Sequence, residues 1–274
     1  MSAATPLELF KAGQLTQAVL ELTQQVKAKP SDTSLRVFLF ELLCFEGQWD
    51  RAAKQLDVIA GQGGTMIAEM AVQVYRDLLN AERLRHQVYR DDALPKFLLP
   101  PPPYADRYLV LVKKLQLAPA EAVAMLPEAE EQFPALAGRI GDRTFSSFRD
   151  ADDRIAPILE VFNGADYLWV PFEQIVRLEV TEPTSLRNLV WARARIETYE
   201  QSVGDVFIPS LYVDSHANAD EQVRLGRITS WQAIEEQLVF GAGQRVFLVD
   251  DQEVALLDLR DVAFSAQSAP VEKA

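Results

Sequence analysis

The sequence predicts an α+β protein, with helical hairpins in its N-terminal part followed by a mainly antiparallel β domain. Three observations carry this reading. A short segment recurs at an offset of 34 residues near the N-terminus, four consecutive prolines occupy residues 100–103, and from about Ala137 the apolar residues change from helical to alternating spacing. The 274 residues suit two medium domains, expected at 1–135 and 136–274. With 49% hydrophobic and 24% charged residues, each half can bury a core, so disorder is confined to the tail QSAPVEKA. The net charge of −13 excludes a nucleic-acid surface as the main feature, because such a chain repels phosphate.

The repeat comes first. Ala12-Gly13-Gln14-Leu15-Thr16-Gln17-Ala18 returns as Glu46-Gly47-Gln48-Trp49-Asp50-Arg51-Ala52, with Leu9/Leu43 and Leu22/Leu56 in the same register. Gly13 and Gly47 fit a tight turn between antiparallel helices, where a left-handed backbone costs glycine little. Ala18 and Ala52 allow close helix approach, and Leu22 and Leu56 fill the space one turn later. The pattern resembles the tetratricopeptide repeat, with Pro30 at the closing proline position and Gly64 in its place in the second unit. A third unit is expected from Met66, but Ala81 replaces its turn glycine and His86 its small alanine, so residues 80–90 either turn back or extend the helix. Such a short array needs a cap from the rest of the chain. LPKFLLPPPPY, residues 94–104, reads as a stiff connector, with a polyproline docking ligand as the alternative. Two more helices are expected within 105–133, interrupted by Pro119 and Pro127.

In the second half, FSSFRD, ILEVF, YLWVPF, IVRLEV, LVWARARIETY, DVFIPSLYV, QRVFLV and EVALLDL have the composition of strands. Asn163-Gly164 is a strong hairpin turn, and Asp250-Asp251 separates the last pair. A short helix is expected around 230–236.

Sites for known chemistries are sparse. There is no G-x-S-x-G elbow, and the only histidines are His86 and His216, the latter read as an exposed loop residue. Cys44 forms no intrachain disulfide and fits a packing or groove-lining role. One cysteine and two histidines distant in sequence cannot supply the usual zinc sets, which excludes a structural zinc on this reading. Gly61-Gln62-Gly63-Gly64 lacks the lysine of a phosphate loop, and Gly241-Ala242-Gly243 reads as a bend or bulge. Asp150, Asp152 and Asp153 read as a solvated turn rather than a calcium loop. No cofactor, metal or catalytic residue is therefore expected. The N-terminus lacks a secretory signal and no apolar run is long enough to span a bilayer, which predicts a cytoplasmic protein without membrane insertion.

Taken together, LFKAGQLTQAV…KP…LRVFLFELLCFEGQWDRAAKQLD, VWARARIE, VFIPSLYVDS and GAGQRVFLVDDQEVALLDLRDVAF resemble the ImpE/TagJ accessory proteins of bacterial type VI secretion systems. The resemblance implies a non-enzymatic protein that binds the small subunit of the contractile sheath through that subunit's N-terminal helix. Transfer of the tetratricopeptide groove positions by register places Val37, Glu41, Cys44 and Phe45 from the second unit on the concave surface, with Ala71, Tyr75, Leu78 and Leu79 from the third. These residues either line a groove for that helix or lie in a core beneath the rest of the chain. Two other readings remain open, a generic repeat scaffold or co-chaperone and an enzyme with a carboxylate site in the β domain.

Overall fold

The computed structural model describes residues 4–63, 65–200 and 202–265, so Gly64 and the tail QSAPVEKA lie outside the described residues. The helical part contains α1 (Pro6–Lys11), α2 (Leu15–Ala28), α3 (Thr33–Phe45), α4 (Trp49–Gly61) and α5 (Met66–Arg90). Thr5 starts α1 with a capping box, accepting from Glu8 N while its own N–H donates to the Glu8 carboxylate. Asp32 and Thr65 cap α3 and α5 in the same sense. Gly13 and Gly47 make the two repeat turns at φ +80° and +64°, and Ala18, Ala52, Leu22 and Leu56 are buried between helices as their spacing requires. Without a turn glycine, the third unit does not fold back. Ala81 is buried mid-helix and α5 runs on through residue 90.

The proline-rich connector is not a free spacer. Lys96–Phe97 forms β1, parallel to residues 168–169 of the main sheet, Leu99 is buried, and Pro100 O accepts from Gln174 Nε2. Pro103 then opens α6 (Pro103–Leu117) and Pro119 opens α7 (Pro119–Glu130), where the missing N–H of proline costs nothing. Pro127 does not interrupt the chain as expected. It lies inside α7, which ends three residues later.

The β part comprises β2 (Gly138–Ile140), β3 (Arg143–Phe145), β4 (Phe148–Asp150), β5 (Ile158–Asn163), β6 (Asp166–Pro171), β7 (Ile175–Val180), β8 (Trp191–Thr198), β9 (Ser202–Pro209), the short helix α8 (Glu221–Arg224), β10 (Thr229–Ile234), β11 (Leu238–Gly243), β12 (Val246–Val249), β13 (Gln252–Ala255) and β14 (Asp261–Phe264). The main sheet has the order β1-β6-β5-β9-β8-β7-β14-β2-β3, antiparallel throughout except at β1. A second sheet, β13-β12-β4, covers part of one face, and β10–β11 is a separate hairpin. The helix expected at 230–236 is therefore β10. Its side chains pair along β11, and Glu235 and Glu236 turn the chain with φ of +52° and +58°. Gly241–Gly243 continues β11, and a Cβ on Gly241 would lie 2.4 Å from the Tyr212 ring.

The apolar continuity of ILEVF and YLWVPF follows from burial on both faces. Ile158, Phe162, Tyr167 and Trp169 point into a core shared with the helices, whereas Leu159, Val161, Leu168 and Val170 point into a second core. That second core contains the closely packed rings of Phe148, Phe172, Phe247 and Phe264. The shared core places the repeat directly against the sheet.

Candidate functional site: a helix groove and the polar seam behind it

The expected concave groove is partly filled by the chain itself. Trp191, at the start of β8, enters the repeat and packs its ring against Phe40, Trp49 and Tyr75 at centroid distances of 6.5, 6.4 and 6.4 Å. Its Nε1 donates to Glu82 Oε1 at 3.0 Å. Phe45, Leu78 and Leu79 are residues of the same core, each 1% exposed, and Cys44 is buried in it with its thiol pushed up by burial. These four do not offer a surface to a partner. Phe45 instead meets the ring of Phe10 at 6.0 Å.

Of the remaining expected positions, Ala71 is exposed, Val37 and Tyr75 are half-buried, and Glu41 is buried at the edge of an open groove. The groove has a volume of about 490 Å³ and is lined by Leu7 of α1, Val37, Phe38 and Glu41 of α3, and Leu186 of the 3-10 turn Leu186–Leu189. Arg187, next in that turn, lies over the Tyr75 ring at 4.8 Å and brings its Nε within 3.8 Å of Glu41 Oε1. Burial raises the Glu41 carboxyl while Arg187 opposes the rise. The result is an apolar trough with one acidic position and one cation at its rim. Val37 and Tyr75 are legible through the repeat register, but Leu186, Arg187 and Trp191 carry no local mark of this role.

Behind the groove, α5 is joined to the sheet by buried charge. Glu160 of β5 accepts from Arg85 Nε at 2.8 Å, Arg85 Nη2 at 2.9 Å and the Tyr167 hydroxyl at 2.6 Å, and it pairs with Arg245. Arg245 also donates to Asp150 at 2.8 Å, and the Tyr212 hydroxyl donates to the same carboxylate at 2.9 Å. Glu160, Asp150 and Arg245 are all 0% exposed. Burial alone would raise Glu160, yet the two guanidiniums and Tyr167 hold it well below the ordinary range, while burial pushes Asp150 up to about 7 against the pull of Arg245. Asp152 is likewise enclosed, paired with Arg154, and Asp153 accepts from Val239 N and Arg149. The acidic triple is thus interior rather than a solvated turn, because its carboxylates satisfy backbone donors and the cations of neighbouring elements. The carboxylates of Asp150, Asp152 and Glu160 converge in the β part, but internal donors occupy them. The signal in the sequence was a single glutamate inside the apolar run ILEVF, a position that demands a buried cation.

The segment after β9 binds the turn edge of the repeat. Glu221 accepts from Leu15 N and Thr16 N, both at 3.0 Å, at the start of α2, whose own N-cap Gln14 provides no side-chain cap. Arg227 donates to Phe10 O at 2.7 Å and Lys11 O at 3.2 Å at the end of α1. His216 packs against Gly47 so closely that a Cβ there would meet its ring at 2.4 Å, and it is half-buried rather than exposed as expected. The cap that the short array requires is therefore this loop.

A sequence model described as "ImpE protein" matches residues 142–263, most of the β part. The type VI secretion system accessory component TagJ of Pseudomonas aeruginosa strain PAO1 is 36% identical over 267 residues, covering 96% of this chain and 92% of that protein. The chain belongs to the ImpE/TagJ family. An X-ray structure of protein VPA1032 from Vibrio parahaemolyticus shares the fold found here, with 26% identity, a TM-score of 0.87 and coverage of 96% of this chain and 98% of that one. Both full-length similarities include the repeat as well as the β part.

Proposed function

We propose that this protein is a non-enzymatic type VI secretion adaptor that holds the N-terminal helix of the small sheath subunit against its helical repeat. The observation that carries the reading is the near full-length similarity to a protein identified as a type VI secretion accessory component. Its physical support is the trough beside α3, where apolar Leu7, Val37, Phe38 and Leu186 surround the single acidic position Glu41. An amphipathic helix gains from such a surface by desolvating a few anchors and placing a basic side chain at the acidic edge. Tyr75 and Ala71 extend the surface along α5. No described helix is long and apolar enough to cross a membrane. The cytoplasm, where sheath subunits are accessible, is the compartment this role requires.

The test is binding of the full chain to a peptide carrying the sheath subunit's N-terminal helix, followed by calorimetry. Val37→Asp and Leu7→Lys are expected to weaken binding by about thirtyfold, the equivalent of about 2 kcal/mol, with an unchanged melting temperature. Binding at full strength by both folded variants would move the site elsewhere and overturn the groove assignment.

A further inference from the structure

The two histidines of the chain meet in space. His86 projects from α5, and His216 lies in the 3-10 turn Ser215–Ala217 after β9. Their rings are 5.4 Å apart in an edge-on arrangement, and Asp214 joins them, with its Oδ1 3.3 Å from His86 Nδ1. One ligand atom from each of the three residues lies within 4.8 Å of those from the other two. Zinc-class ions bind imidazole nitrogen and carboxylate oxygen at about 2.0–2.2 Å, so these ligand atoms must draw closer by side-chain rotation to share one ion.

We propose that His86, Asp214 and His216 form a binding site for a zinc-class divalent cation that clamps α5 to the loop after β9. Two imidazoles and one carboxylate are a borderline-soft donor set with room for water, which suits Zn²⁺, Co²⁺ or Ni²⁺ better than Ca²⁺ or Mg²⁺. Around the set stand the parts that a metal site needs. Arg90 Nη2 donates to Asp214 Oδ1 at 2.8 Å, and among the described residues the carboxylate's hydrogen bond and ion pairs all fall on that oxygen, leaving Oδ2 for an ion. Trp49 forms an apolar wall, its ring 6.1 Å from His86 and 6.3 Å from His216. Asp214 also borders an open cavity of about 270 Å³ with Ala217 and Asn218, which provides a route for a hydrated ion. Asp214 sits at φ +64°, a left-handed conformation that aspartate adopts more readily than most non-glycine residues. The three residues are already positioned by Arg90 and Trp49, so the ion adds to a folded protein rather than creating it.

Full-length protein freed of metal with EDTA and dialysed would be titrated with CoCl₂, then with ZnCl₂. The expected result is one Co²⁺ per chain with visible absorption bands of low coordination number, displacement by Zn²⁺, and a change in tryptophan fluorescence from Trp49. His86→Gln and His216→Gln should each weaken binding by at least about tenfold while the melting temperature of the metal-free protein stays constant. Should either variant unfold, diethylpyrocarbonate labelling of the wild-type chain decides. Protection of both histidines by saturating Zn²⁺ supports the site, and undiminished labelling overturns it. Failure to bind a stoichiometric ion, or equal binding by the two folded histidine variants, also overturns the proposal.

Discussion

At the scale of single residues, Glu160 shows how much depends on a partner far away in sequence. Its carboxylate is the meeting point of Arg85 from α5 and Arg245 from the segment before β12. Glu160→Gln leaves two buried guanidiniums with a neutral acceptor and is expected to cost about 3–5 kcal/mol, measured as a lower urea midpoint. The pH dependence has a definite sign. Because the folded pKa lies below the unfolded value of 4.5, the contribution is fully present above that value and is lost as pH falls through it towards the folded pKa. Stability curves measured down to about pH 3 are expected to fall less steeply for Glu160→Gln than for the wild type. Phe45 and Val37 provide a contrast within one helix. Phe45→Ala removes a ring from the core beside Phe10 and is expected to cost about 3–5 kcal/mol of stability, whereas Val37→Ala, at a half-buried position, is expected to change thermal stability little.

At the scale of elements, helix ends are completed by residues from the other half of the chain. Glu221 occupies the N-terminus of α2, where two amide donors and the helix dipole favour a carboxylate. Glu221→Ala is expected to destabilise the protein by about 1 kcal/mol, with faster amide exchange at Leu15 and Thr16 as the local readout. The β10–β11 hairpin offers the opposite case. Glu236 sits at φ +58° without the conformational freedom of glycine, so Glu236→Gly is expected to raise the melting temperature slightly, by the equivalent of about 0.5–1 kcal/mol. The length of the 230–236 segment suits either a helix or a strand, and its pairing with residues 238–243 decides in favour of strand.

At the scale of the whole molecule, one core spans the helical repeat and the inner face of the sheet. Trp191 fills the repeat's concavity, and the Arg85–Glu160 pair closes the same interface. A single calorimetric unfolding transition is expected, since neither side can expose this surface without also breaking buried ion pairs. Two well-separated transitions would show that the halves are independent. The connector should resist limited proteolysis at Lys96, which is held in β1 and paired with Asp166.

Local features of this protein are legible in its amino-acid sequence. The 34-residue register fixed the helical hairpins through Gly13, Gly47, Ala18 and Ala52, and Asn163-Gly164 fixed a hairpin, because backbone conformation and side-chain size at those positions act over a few residues. The ImpE/TagJ resemblance was also legible there, in segments spread from Leu9 to Phe264. Tertiary structure alone decided which groove positions remain accessible. Trp191 arrives from the second half of the chain to pack on Phe40, Trp49 and Tyr75, and Phe45, Leu78 and Leu79 lie in the shared core, while Val37 stays beside an open trough. It likewise turned Asp150 and Asp152 from an apparent surface turn into interior charges, and brought His86 to His216. Each of these outcomes depends on a partner distant in sequence, and burial and electrostatics act through space, where local spacing along the chain carries no information.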